Sequence, residues 1–195
     1  MDSSSDLKNH FLLAMPLLDD PWFGHSVCYI CDHNENGTMG LVINKPMGIH
    51  LKDIYSELAI DSDGQGERPI LQGGPVSPEQ GFVLYEGGYN EVQNLEIAQG
   101  IRLSTSKDIL ENIAEGTGPD NVIVCLGYAG WSAGQLEDEI ARNSWLTVPA
   151  DEALLFHTPL EDIAEKAAEK LGVDLSKLSG QSGHAKKERH LIIQV

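Results

Sequence analysis

Short apolar runs broken by proline, glycine and asparagine fill the first half of the chain. Phe11 to Met15 is stopped by Pro16, and Ser26 to His33 is rich in aromatic and β-forming residues, so both are predicted strands. Between His33 and Met39 lies Asn34-Glu35-Asn36-Gly37-Thr38, whose Asn-Gly pair is the strongest short hairpin signal because both residues accept positive φ. Met39 to Asn44 then returns antiparallel, and Lys45-Pro46 ends that strand because proline removes a ladder donor. Leu51, Ile54, Tyr55 and Leu58 recur at helical spacing and predict a short amphipathic helix, followed by the loop DSDGQGERP. PILQGG and GFVLYEG are predicted strands on either side of GGPVSPEQ. Within that connector Ser77, Pro78 and Gln80 make an S-x-x-Q capping box with proline at its second position, which predicts one helical turn. NLEIA and IRLST add a further strand pair.

The second half mixes periods. Ser106 is placed to cap a helix carrying Ile109, Leu110 and Ile113, with Gly116 as its stop. Asn121 to Gly127 is continuously apolar, which predicts a strand covered on both faces at the centre of the sheet. WLTVPA and ALLFHT are predicted as short strands. Thr158-Pro159-Leu160-Glu161 is a T-x-x-E capping box for a helix ending at Leu171-Gly172, and LIIQV forms an edge strand or hangs free. Strands first and mixed elements later, without regular alternation, give an α+β class.

Charge narrows the partners. Thirteen basic against thirty acidic side chains leave a formal charge of −17, which repels DNA, RNA and anionic lipid, so direct nucleic-acid binding is disfavoured. The basic cluster Lys186-Lys187-Glu188-Arg189 is too small to reverse that sign and reads as a solvated tail. No apolar run approaches the roughly 20 residues of a membrane span, and the N-terminus lacks the order of a signal peptide, so a cytoplasmic protein without membrane contact is expected. Three cysteines, an odd number, fit a reducing compartment. At 195 residues the chain suits one domain.

Four stretches carry a resemblance: FLLAMPLLDDPWFGHSVCYICDHNENGTMGLVINKP, GGPVSPEQGFVLY, GYAGWSAGQLEDEIARNSWL and LSGQSGHA. Together they resemble the YqgE/AlgH family of small bacterial proteins over nearly the whole chain. The resemblance implies a single α+β domain over residues 1–185, with a mainly antiparallel, bent and forked sheet forming a pseudo-barrel and helices packed outside. Residues 186–195 extend beyond the family pattern. The AlgH name carries the label of a transcriptional regulator without demonstrated chemistry, so the resemblance brings no catalytic residue and no cofactor.

The residues themselves offer three chemistries. Gly130-Trp131-Ser132-Ala133-Gly134 is a literal G-x-S-x-G, the form of a nucleophile elbow. The apolar run ends near Gly127, however, leaving Tyr128 and Ala129 between strand and serine, and Gln135 completes an S-x-x-Q box, so Ser132 is expected to cap the next helix. Asp151, His157, Asp162 and His184 follow in an order a triad would accept on paper. Gly127, Gly130 and Gly134 favour close approach at an anion-attracting helix start, but Glu137, Asp138 and Glu139 already supply negative charge there, which leaves a tight turn around Trp131.

Cys28 and Cys31 form a C-x-x-C beside His25 and His33. On a strand, residues three apart face opposite sides, so the pair is expected neither to chelate a metal nor to close a disulfide. At least one is expected to be buried, with Cys31 or Cys125 as the residual reactive thiol and His33 as a polar neighbour of the turn. Gly73-Gly74-Pro75 lacks the ending of a P-loop and reads as a tight strand exit. The candidate cleft combines Gly73 and Gly74 with Tyr128, Gly130, Trp131 and Gln135, and no metal or cofactor is expected. The functional expectation is a binding or interaction protein with an indirect regulatory role, taking a protein partner or a small ligand. The alternatives are a hydrolase or thiol enzyme and, against the charge, a DNA-binding regulator.

Overall fold

The computed structural model describes residues 6–62, 66–87 and 93–179. Strands β1 (His10–Ala14), β2 (Val27–Asn34) and β3 (Gly37–Val42) pair antiparallel in succession. Their alternation sorts Leu12, Cys28, Ile30 and Val42 to one face and Phe11, Leu13, Val27, Tyr29, Cys31 and Leu41 to the other. The β2–β3 hairpin forms, with its turn one residue earlier than the Asn-Gly pair predicts. Glu35 and Asn36 make the turn, and Gly37, at φ 142°, opens the return strand opposite Asn34. The Asn36 N–H donates to Asn34 Oδ1 at 2.8 Å, so the first asparagine holds the turn through its side chain.

Pro46 both follows β3 and begins β4 (Pro46–His50), an exposed strand on β5 (Pro69–Gln72) that no alternation announces. Helix α1 (Leu51–Glu57) starts directly after it, where the His50 N–H donates to Asp53 Oδ2 at 2.8 Å. The predicted helical turn at SPEQ is absent: β6 (Val76–Glu86) is one long strand. Ser77 sits at φ 46° and the pairing with β9 (Val122–Ser132) lapses between Val76 and Gly81. Pro78 falls in that lapse, where its missing N–H loses no ladder bond, so the pattern marks an irregularity of the strand and not a cap. The pair β7 (Leu95–Ala98) and β8 (Ile101–Ser104) forms as expected. Helix α2 (Lys107–Ala114) begins where Ser106 Oγ accepts the Asp108 N–H at 3.1 Å and stops before Gly116 at φ 76°.

Strand β9 is the hub, as its continuous apolar run predicts. The sheet runs β10-β1-β2-β3-β9-β6-β8-β7, with β10 (Trp145–Pro149) on the β1 edge. Along one side β9 pairs with β6. Along the other it pairs in parallel with β5 at Val124, Cys125 and Leu126, then antiparallel with β3 from Ala129 to Ser132. This handover is the fork of a sheet that curls into a half-barrel, and Lys8 Nζ donates to the Glu96 carbonyl at 3.0 Å across its open side.

The ALLFHT segment is helical, not extended. Asp151 Oδ1 accepts the Leu154 N–H at 2.7 Å, starting α4 (Glu152–Phe156) and burying Leu154 and Leu155 against the inside of the curl. The T-x-x-E box does not form either: Thr158 Oγ1 donates to the Ala153 carbonyl at 3.0 Å, so the threonine closes α4. A 3-10 turn (Leu160–Asp162) then leads into α5 (Ile163–Glu169), and α6 (Leu175–Ser179) follows. His184, the Lys186-Lys187-Glu188-Arg189 cluster and LIIQV lie outside the described residues.

Three apolar clusters result. One fills the curl beneath α4 and α5. A second lies between the β1–β3 end of the sheet and α3 (Gln135–Ala141), and a third beneath α1 and α2. The protein is a single α+β domain with a forked, curled, mainly antiparallel sheet and helices packed outside it. No helix among the described residues is long and apolar enough to cross a membrane.

Candidate functional site

The glycines proposed for the cleft are consumed by the fork. The Val42 N–H donates to the Gly73 carbonyl at 2.7 Å, and the Gly73 N–H donates to the Leu126 carbonyl at 2.9 Å, so Gly73 ties β3 to β9. A Cβ on Gly73 would lie 2.3 Å from the Gly127 oxygen, and one on Gly74 would lie 1.9 Å from the Tyr128 carbonyl carbon. Backbone meets backbone here, leaving neither a phosphate cradle nor a cleft. Tyr128 turns into the curl and packs on Phe82, ring centroids 5.6 Å apart, whereas Trp131 faces the opposite side of β9. The six residues therefore divide: Gly73, Gly74 and Tyr128 meet at the fork, Gly130 is exposed on β9, and Trp131 and Gln135 belong to the junction with α3.

At that junction the serine is neither off its strand nor a cap. Tyr128 and Ala129 are part of β9, which continues to Ser132, and the residue before α3 is Gly134 at φ 77°. The Ser132 N–H and Oγ both donate to Gln135 Oε1, at 3.0 and 3.2 Å, so only the backward arm of the expected capping box exists. Gln135 Nε2 in turn donates to Glu139 Oε1 at 3.0 Å. The other carboxylate oxygen accepts two indoles, Trp131 Nε1 at 3.0 Å and Trp145 Nε1 at 2.8 Å.

Glu139 is thus not an outward-facing complement to the helix dipole. It is the one buried charged side chain among the described residues, and three donors compensate its removal from water. Phe23 packs on both indoles, with centroid distances of 6.2 and 5.7 Å. The available signal was the i, i+4 spacing of Gln135 and Glu139 between two tryptophans. His33 is also more than a turn neighbour: Nδ1 lies 2.7 Å from Thr38 Oγ1 and Nε2 lies 3.4 Å from Glu137 Oε1, joining β2 to α3.

Cys28 and Cys31 face opposite sides of β2, in two different clusters, and both are buried, as is Cys125. Burial pushes the Cys125 thiol up to about 12 and holds Cys28 and Cys31 well above the ordinary thiol range. All three are protonated near neutrality, which disfavours a nucleophilic role. Among the described residues, no group of three or more His, Cys, Asp or Glu side chains is arranged to hold a metal ion.

An open apolar concavity lies elsewhere, over the third apolar cluster. A groove of about 450 Å³ runs between the end of α1 and the start of α2. Its floor is Val83 and Gly81 of β6 with Val124 and Leu126 of β9, and Ile54, Leu58 and Leu110 form its walls. A Cβ on Gly81 would meet nothing within 4 Å, so the missing side chain deepens the floor. Glu57 and Glu79 stand on the lip, and the Lys107 ammonium there is paired with Glu111 at 3.0 Å. Glu79 lies in the stretch of β6 before Gly81 where the pairing with β9 lapses. No motif marks this groove in the sequence, because its residues come from four separate elements.

Comparison with known proteins agrees with this architecture. An AlgH-like family model matches residues 11–176. The UPF0301 protein Tgr7_2910 of Thioalkalivibrio sulfidiphilus is 50% identical over 186 residues, covering 95% of this chain and 100% of the relative. The UPF0301 protein XOO1309 of Xanthomonas oryzae is 50% identical over 181 residues, covering 92% of this chain and 96% of the relative. The solution structure of the AlgH protein from Pseudomonas aeruginosa superposes with a TM-score of 0.77 at 47% identity, covering 95% of this chain and 99% of that one. The crystal structure of protein DIP2367 from Corynebacterium diphtheriae shares the fold, with a TM-score of 0.72 at 19% identity over 92% of this chain and 94% of that one. With the same forked half-barrel and half of its residues in common with such relatives, the chain belongs to the AlgH-like family.

Proposed function

We propose that the protein is a cytoplasmic binding module that offers the α1–α2 groove to an apolar, net-basic segment of a protein partner, and that any regulatory effect runs through that partner. The observation that carries this reading is the groove itself: an open apolar floor with carboxylates on its lip and its lysine already neutralised by Glu111. An amphipathic segment would bury its apolar side chains on Val83, Leu110 and Leu126 and place cations near Glu57 and Glu79. The formal charge of −17 adds long-range attraction for a basic partner and opposes duplex DNA. Three free, buried thiols suit a reducing compartment.

The test is affinity capture from cell extract with wild-type protein, Leu110→Glu and Gly81→Val, alongside Glu115→Lys as a surface-charge control. Partners lost with both groove variants and kept with the control support the reading. Identical capture by all four proteins defeats it.

A further inference from the structure

The floor of the α1–α2 groove is the face of a sheet and not its edge, which decides what kind of backbone can lie on it. Val124 and Leu126 of β9 sit between β5 on one side and β6 on the other, and Val83 of β6 sits between β9 and β8. Their amides and carbonyls are committed to those ladders. Strand β8 ends at Ser104, opposite Val83, so of the floor residues Gly81 alone has an open side. Residues 77–80 before it stand out of register opposite Gly127. An extended segment laid in this groove has no regular ladder to join and carries its own N–H and C=O groups unpaired onto apolar side chains. A helix satisfies those groups internally and presents only side chains.

The walls and lip fit the same occupant. Ile54 and Leu58 stand one helical turn apart on the α1 side, with Leu110 on the α2 side; none of the three is fully buried, and Leu58 is 38% exposed. Helices α1 and α2 cover one apolar cluster on one face of the sheet, so a helix between them continues a layer already begun. Neither Glu57 nor Glu79 has an ion-pair partner among the described residues, whereas Lys107 is held by Glu111. The uncompensated charge at the lip is negative.

We propose that the occupant of the groove is an amphipathic α-helix of a protein partner, an inference that rests on the groove being a binding surface. Its leucine-like anchors, at i, i+3, i+4 and i+7, lie on Val83, Val124 and Leu126 between Leu58 and Leu110, and its lysines or arginines face Glu57 and Glu79. Isolated helices of this length are marginal in water, so the segment becomes helical as it binds.

Two synthetic peptides of identical leucine and lysine composition test this, one with leucines at helical spacing and the other alternating leucine with lysine. Each is titrated into the ¹⁵N-labelled full chain at physiological salt. The helical-period peptide should shift the amides of Leu58, Gly81 and Leu110 saturably and gain helical circular dichroism on binding. Leu110→Glu and Gly81→Val should each weaken that binding at least tenfold, and the alternating peptide should leave the three amides in place. Equal or tighter binding of the alternating peptide at these amides overturns the proposal. So do unmoved groove amides, or binding of the helical-period peptide that both variants leave intact, which assigns it to surface charge elsewhere.

Capture from extract separates this inference from the reading beneath it. Partners lost with Leu110→Glu, together with groove amides that answer only to the alternating peptide, keep the groove as a binding surface and remove the helix. Capture indifferent to Leu110→Glu, together with saturable binding of the helical-period peptide, keeps the preference for a helix and removes the cellular partner.

Discussion

Trp131 and Trp145 donate their indole N–H groups to the same oxygen, Oε2 of Glu139, with the two rings edge to face at a centroid distance of 6.0 Å. One tryptophan is the last residue but one of β9 and the other begins β10, so the carboxylate on α3 ties strand, helix and strand together. Glu139→Ala leaves two indole donors and the Gln135 amide facing an empty space. It should cost about 3–5 kcal/mol, the range for breaking a buried charged network, while Glu139→Gln, which keeps an acceptor for the indoles, should cost less. Trp131→Ala should fall in the range of about 3–5 kcal/mol for a buried aromatic. Urea melts followed by far-ultraviolet circular dichroism read all three. Equal losses for Glu139→Ala and Glu139→Gln would show that shape, and not the shared acceptor, holds the junction.

Ser132 and Gln135 separate in the same assay. The serine hydroxyl shares an acceptor that the Ser132 N–H already uses, and it is exposed, so Ser132→Ala should change stability by no more than about 0.5 kcal/mol. Gln135→Ala removes the bridge between Ser132 and Glu139 and should cost about 1–2 kcal/mol. A larger loss from Ser132→Ala than from Gln135→Ala would restore the helix-cap account.

Much of this fold is legible in the sequence because it follows local rules. Short apolar runs bounded by Pro16, the Asn36-Gly37 turn and Lys45-Pro46 place β1 to β3, Ser106 and Gly116 bound α2, and the continuous apolar run marks β9 as the central strand. Where the structure differs, tertiary context overrides a short local pattern. Ser77-Pro78-Gln80 satisfies a cap rule, yet the pairing of Val76 before it and Gly81 after it with β9 keeps it in β6; ALLFHT has strand propensity, yet Asp151 caps it as a helix. The site was less legible still. Glu139 sits among acidic neighbours and looks solvated until Trp145, brought alongside by β10, supplies its second indole. The groove depends on Gly81 lying opposite Leu126 across the β6–β9 ladder, a register no single segment encodes.

Two glycines beside β9, Gly74 in the β5–β6 connection and Gly81 within β6, should respond oppositely to a methyl group. At Gly74 the added Cβ meets the Tyr128 carbonyl, and since backbone cannot swing aside, Gly74→Ala should destabilise by about 1–3 kcal/mol or more. At Gly81 the same atom enters open groove. Gly81→Ala should hold wild-type stability or gain about 0.4–1 kcal/mol by restricting the unfolded chain. Thermal melts of the two variants, run side by side, test the fork. A wild-type melting curve for Gly74→Ala would mean that β5 and β9 do not approach as closely as the fork requires.

The buried thiols set an alkaline limit on stability. Cys125 has an ordinary value of 9.0 and is pushed up to about 12 by burial, so the folded protein keeps its proton at a pH where the unfolded chain releases it. Below pH 9 both states are protonated and the contribution to stability is whole. As pH rises through the unfolded value toward the folded one, the unfolded state binds fewer protons, and stability falls by about 1.4 kcal/mol per pH unit for each such group. Other groups titrate over the same range, so the informative quantity is the difference between wild type and Cys125→Ala. Urea midpoints at pH 8, 9, 10 and 11 should show the two proteins parallel at first, with the wild type declining more steeply thereafter. Iodoacetamide supplies the kinetic counterpart: native protein at pH 8 should label slowly at all three cysteines and rapidly once urea unfolds it. Parallel midpoints throughout, or fast labelling of Cys125 in the native state, would place that thiol in water and reopen it as a nucleophile.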